Sequence, residues 1–150
     1  MLLSAVRDLP GVGLLEPPHV SLGYPWLPAA AALEQLDRVR EAAARVPPFE
    51  ALLTGPHAYP ADPRGRVLLH ARLADERPVR ELARLLGADL RDVHLSLARL
   101  RPGTDEDAVR GALAPLLPLQ VAVVELDVTV QRAGRWEPAL RQRLGAPPPA

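Results

Sequence analysis

The sequence predicts an α/β protein, and three observations predict it. Short β-like runs alternate with segments of helical spacing. Eighteen prolines, more than twice average usage, punctuate the chain. Hydrophobic residues at 48% against 24% charged suffice for a core in a chain of 150 residues, about one domain's worth. Residues 1–145 therefore read as a single domain, followed by a Pro-rich disordered tail at 146–150. No cysteine is present, which excludes disulfides, zinc ribbons and thiol nucleophiles.

Taken in order, Pro17-Pro18 precedes a short apolar strand at Val20–Leu22 with His19 at its head, and Pro25 and Pro28 close it because proline cannot donate to a central ladder. Ala29 to Val46 reads as an amphipathic helix, with Leu33, Leu36, Ala43 and Val46 on one side and Glu34, Asp37, Arg38 and Glu41 on the other. Pro47-Pro48 ends it. Phe49–Thr54 is a strand, and Gly55-Pro56 through Asp62-Pro63 a loop. Arg66–Leu73 is a strand with partial alternation. Pro78–Leu86 is a helix opened by proline and stopped by Gly87. Asp92–Arg99 is a strand. Thr104 caps a helix running to Leu117, with Asp107 as an imperfect capping box. Leu119–Gln131 is the longest β-like run, and Trp136–Leu144 adds a short helix.

Charge narrows the partners. Eighteen basic residues, all of them Arg, cancel eighteen acidic ones. Zero net charge argues against broad, counterion-driven binding to long nucleic acid, yet permits an Arg-lined pocket for one phosphate. Aromatic residues at 3% argue against an extended base-stacking platform. No apolar run reaches the ~18 residues that a bilayer crossing needs. Met1 to Pro10 is interrupted by Arg7 and Asp8 and does not read as a signal peptide, so the expected location is the cytoplasm, with no membrane partner.

The informative feature occurs twice. His19-Val20-Ser21-Leu22 and His94-Leu95-Ser96-Leu97 share the pattern His, aliphatic, Ser, Leu. Two of only three serines thus stand two positions after two of only four histidines. Alternate side chains of a strand share a face, so each segment presents an imidazole and a hydroxyl together, with Val20, Leu22, Leu95 and Leu97 as anchorage. Two imidazoles can flank one phosphorus atom, the neutral one taking a proton from the attacking oxygen and the protonated one giving a proton to the departing oxygen. Histidine suits this because both its forms coexist near neutrality. The serine hydroxyls would hold the non-bridging oxygens. Two other readings stand beside this one. The segments would be ordinary solvated strand faces, or the histidines metal ligands, although neither segment offers a zinc-type spacing.

At these residues the sequence resembles the two-histidine phosphoesterase superfamily, the 2′-5′ RNA ligase-like (LigT-like) proteins, whose hallmark is two H-x-[ST]-x motifs. Pro17-Pro18-His19-Val20-Ser21-Leu22-Gly23-Tyr24-Pro25-Trp26 is similar to the family's first motif strand, and Val93-His94-Leu95-Ser96-Leu97-Ala98-Arg99 to its second, with Val93 where the family usually has proline. Val124 to Val128 and Gly134 to Trp136 resemble its closing strands more weakly. The resemblance implies a bilobal fold of two pseudo-symmetric antiparallel sheets lining a central groove, helices outside and one motif in each lobe. It implies hydrolysis of 2′,3′-cyclic or 2′-5′ phosphodiesters without metal or cofactor, on an RNA 3′ end or a small cyclic nucleotide, and in some members the joining of RNA halves. His19 and His94 would be catalytic, with Ser21, Ser96 and Arg99 binding phosphate. Arg99 leaves that face by strict alternation and needs a bulge to return to it.

Tyr24, His70 and Arg72 are further substrate-binding candidates, the last two sharing a strand face; Trp26 and Tyr59 could stack a base, and His57 is expected in solvent. Only about eighteen residues precede His19 and the spacer to His94 is compact, which suggests trimmed loops. Leu2–Leu9 stands where family members carry a strand and long helix. The expected protein is a monomeric hydrolase. The alternative is a catalytically weak module that binds RNA ends or nucleotides in the same groove.

Overall fold

Alternation of apolar and polar positions folds most of these runs into strands, and the computed structural model describes residues 9–14, 19–22 and 29–146. The order is β1 (Val12–Leu14), α1 (Ala29–Glu34), α2 (Leu36–Arg45), β2 (Phe49–Ala58), β3 (Val67–Leu73), α3 (Arg77–Leu86), β4 (His94–Leu100), α4 (Glu106–Leu113) with a 3-10 turn at Ala114–Leu116, β5 (Leu119–Val123), β6 (Glu125–Arg132) and β7 (Arg135–Arg143). This is the mixed α/β class expected. Leu2–Leu9 apart from Leu9, the segment holding Tyr24 and Trp26, and the tail beyond Ala146 lie outside the described residues.

Two compact units divide the chain. The first draws on Met1–Ser21, Ala51–Asp75 and Asp92–Val121. Its sheet has the order β1-β4-β3-β2-β5, and β1–β4, β4–β3 and β3–β2 are antiparallel. One sheet face is apolar and closed: Leu53, Leu69, Ala71, Ala98 and Leu100 are each at most 4% exposed, the sort of burial that stabilises by about 25 cal/mol per Å². Val109 and Leu113 of α4 are buried as well. The second unit draws on Leu22–Glu50, Glu76–Arg91 and Ala122–Ala150. There β6 and β7 form a two-stranded antiparallel ribbon, and Ala43, Val46, Leu82 and Leu144 make a core. α2, α3 and α4 each bury one stripe and expose the rest, as outer helices do. The two sheets are alike in kind but unequal, five strands against two among the described residues.

Gly87 stops α3 as expected. It takes the left-handed conformation (φ 66°), where its N–H donates to the Ala83 and Arg84 carbonyls. A Cβ there would lie 2.8 Å from Arg38 Nη2, which the flexible end of that side chain can yield, so it is the left-handed backbone that favours glycine.

Five expectations are corrected. The helix over 29–46 is two helices separated at Gln35. The strand from Phe49 runs on to Ala58, through residues expected to loop, because Tyr59 and the β3 strand continue the ladder and a register shift between Thr54 and His57 accommodates Gly55-Pro56. Asp105, not Thr104, caps α4: its carboxylate accepts from Ala108 N at 3.0 Å, while Thr104 Oγ1 donates to the Gly11 carbonyl. The run Leu119–Gln131 breaks at Val124 into β5 and β6, which belong to different sheets. Trp136–Leu144 is strand, not helix. Ala133 (φ 47°) and Gly134 (φ 77°) make a tight reversal that folds β7 back on β6, and the ladder that follows outweighs the helical spacing.

Candidate active site

Strand register assembles the site. In β3–β4, His70 is the partner of Ser96 and Arg72 of His94; in β2–β3, His57 is the partner of His70 and Thr54 of Arg72. The first motif joins the other side of β4 through an antiparallel bridge between Val20 and Leu95. Counting one residue each way from that bridge sets His19 opposite Ser96 and Ser21 opposite His94. Directly opposed residues share a face. Two cross-strand rows result, His19–Ser96–His70–His57 and Ser21–His94–Arg72–Thr54, while Val20, Leu95 and Ala71 point to the core. All four histidines of the chain thus stand on one face of one sheet. His19–Ser21 of the first motif and the whole of the second lie in the first unit, rather than one motif in each, and Leu22 falls in the second unit.

His19 and His94 are diagonal neighbours in this register, a relation that spans about 7–8 Å between backbones and is bridged by long or aromatic side chains. Exposure grades across the face: His19 is exposed, Ser21, His94 and Ser96 are half-buried, and His70 is 1% exposed.

His94 is held by its Nδ1. Tyr59 Oη lies 3.1 Å from it and Asp92 Oδ2 3.6 Å. Burial disfavours the charged imidazole and pushes His94 below the ordinary range; Asp92 opposes this and the nearby His19 adds to it. Around His94 the rings interlock. His70 meets it edge-on, with centroids 5.3 Å apart, and Tyr59 stacks on His70 at 4.2 Å and 20°. His57 is tilted against His70 at 5.7 Å. Neither ring nitrogen of His70 makes a hydrogen bond among the described residues. Burial first, then the neighbouring His94 and His57, push its pKa down to about 4, so it is neutral at physiological pH.

Arg99 returns to the face. From Leu69 to His70 on β3 is one step, but from Ala98 to Ser96 on β4 is two, so Leu97 is an extra residue and the parity of β4 changes there. Ala98 and Leu100 thereby turn into the core, both at most 1% exposed, and Arg99 shares the side of Ser96, exposed.

The substrate-binding candidates separate. Arg72 is exposed on the histidine face. His70 shares that face but is covered, so it backs His94 instead of lining open surface. His57, expected in solvent, is half-buried against His70 because β2 extends through its position. Tyr24 lies outside the described residues. Two contacts to His94 went unread in the sequence. Asp92 has a signal, since Asp92, His94 and Ser96 alternate on one side; Tyr59 has none, its reach depending on β2. Among the described residues no group of three His, Asp or Glu side chains has the geometry to hold a metal ion.

Residues 7–135 match the family model described as the 2'-5' RNA ligase superfamily, a span that includes both motifs. That superfamily is a group of phosphoesterases and ligases, and its match supports activity of the two-histidine phosphoesterase type in general. The chain belongs to the 2'-5' RNA ligase superfamily. No curated protein matches it. No described helix is long and apolar enough to cross a membrane.

Proposed function

We propose that the protein is a phosphodiesterase that opens 2′,3′-cyclic phosphates, at RNA 3′ ends or on small nucleotides, to 2′-phosphates, with His19 and His94 as the acid–base pair. Water attacks phosphorus and gives its proton to the neutral imidazole. The bond from phosphorus to O3′ breaks, and O3′ takes a proton from the imidazolium. Solvent restores both rings. Each transfer is worth about 10²- to 10⁴-fold in rate. Ser21 and Ser96 hold the non-bridging oxygens, and Arg99 adds a charge on the same side. The two imidazoles and two hydroxyls supply every group the reaction uses, so the scheme calls for no metal and no cofactor.

One observation carries the reading: the Val20–Leu95 bridge, whose register turns His19, Ser21, His94 and Ser96 to one side of one sheet. The test is incubation of EDTA-treated protein with a 2′,3′-cyclic nucleotide and with a short RNA bearing that end, across pH. Formation of 2′-phosphate with a bell-shaped profile, lost in His94→Ala, is expected. Binding of phosphate ends by the wild type without turnover would instead establish a binding module.

A further inference from the structure

We infer that Tyr59 is a positioning residue for His94: its hydroxyl, together with Asp92, keeps the proton of the neutral ring on Nδ1 and leaves Nε2 with its lone pair turned to the substrate. The inference rests on the reading of His94 as one of the acid–base pair and names which protonation form it offers.

The chemistry of the two neighbours carries the argument. A tyrosine hydroxyl either donates or accepts, whereas a carboxylate only accepts. With Oη 3.1 Å and the Asp92 carboxylate 3.6 Å from the same nitrogen, the negative charge favours a proton on Nδ1, and the hydroxyl receives it. Nε2 is then a base. The hydrogen bond on one ring nitrogen sets the state of the other, and a wrong tautomer in an otherwise intact site disables a histidine base.

Tyr59 is itself fixed. Its ring lies flat on His70, which is 1% exposed, and its N–H donates to the Leu68 carbonyl at 3.1 Å. His70 in turn presents an edge to His94. Three rings and one hydrogen bond thus make a frame in which neither Tyr59 nor His94 turns freely. The frame works because His70 is uncharged: a second imidazolium against His94 would repel the cation that forms when Nε2 takes its proton. The charged and titratable groups facing His94 are Asp92 ahead of its own strand, Tyr59 from the end of β2, His70 and Arg72 from β3, and His19 from the first motif segment.

The experiment reads the His94 tautomer directly, by long-range 15N–1H correlation on the full chain at pH 7.5, for wild type, Tyr59→Phe and Asp92→Asn. The wild type is expected to show a protonated Nδ1, and both variants a shift toward protonated Nε2. With a 2′,3′-cyclic nucleotide, Tyr59→Phe should lower kcat about 10- to 100-fold with KM within about twofold, and move the acid limb of the profile. A protonated Nε2 in the wild type, or the same tautomer in wild type and Tyr59→Phe, overturns the inference. A wild type that never turns over, yet loses its Nδ1 proton in Tyr59→Phe, upholds the positioning and removes the proposed reaction instead. Thermal unfolding of each variant separates a lost frame from a lost fold: a Tyr59→Phe protein that unfolds with the wild type but changes tautomer supports the inference, and a tautomer change accompanied by unfolding counts against it.

Discussion

The histidine face of β2–β4 and the β6–β7 ribbon are both antiparallel, yet they treat polar groups in opposite ways. On the ribbon Asp127 and Arg141 are register partners joined by two hydrogen bonds of 3.0 Å, and both remain in water. Either would be solvated without the other, so the pair contributes little. On the face, His70 has been taken out of water with no hydrogen bond from the described residues to replace it, and His94 is held half-buried by Tyr59. The ribbon's charges serve its surface. The buried rings cost stability, and what they provide is a fixed imidazole.

The largest way to break that contrast is removal of a reacting ring. His19→Ala and His94→Ala should each lower kcat/KM on a 2′,3′-cyclic nucleotide by about 10²- to 10⁴-fold, and the double variant by far less than the product, because the two act as a unit. Ser21→Ala and Ser96→Ala should cost about 10- to 100-fold. Equal activity in all four variants would leave the histidine face without a chemical role.

Next comes acid. His70 is neutral in the folded protein down to about pH 4, while the unfolded chain takes up that proton near 6.5. The unfolded state therefore binds more protons in that window, and the stability held above pH 6.5 is lost as pH falls toward 4, by about 1–3 kcal/mol. Urea unfolding against pH reads this. His70→Phe, which removes the orphaned nitrogens but keeps a ring under Tyr59, should flatten the slope; an unchanged slope would place the acid sensitivity elsewhere.

Smaller effects belong to the second unit. Gly87→Ala forces a side chain into the left-handed conformation beside Arg38 and should destabilise by about 1 kcal/mol. Smallest of all, Asp127→Ala should cost less than about 1 kcal/mol, and less still in high salt. A larger loss there would erase the distinction between ribbon and face.

Much of this was legible in the residues. The alternation His, aliphatic, Ser, Leu put an imidazole and a hydroxyl together on each motif segment, and period-2 burial in β6 follows Leu126, Val128 and Val130 directly. Gly87 announced the end of α3. Other features were hidden. Trp136, Leu140 and Leu144 have helical spacing, but Trp136 is 54% exposed and the segment pairs with β6. His57 and Tyr59 sit among prolines that suggested a loop, and only pairing with β3 makes that stretch a strand.

The sequence by itself determined which side chains travel together along a strand, because the pleat alternates every residue whatever lies next to it. Tertiary structure decided which strands meet, that Leu97 bulges and so returns Arg99 to the side of Ser96, and that Tyr59 reaches His94 over a buried His70. Those outcomes depend on register between segments distant in the chain, and a shift of one residue, which local pattern does not encode, turns every side chain to the opposite face.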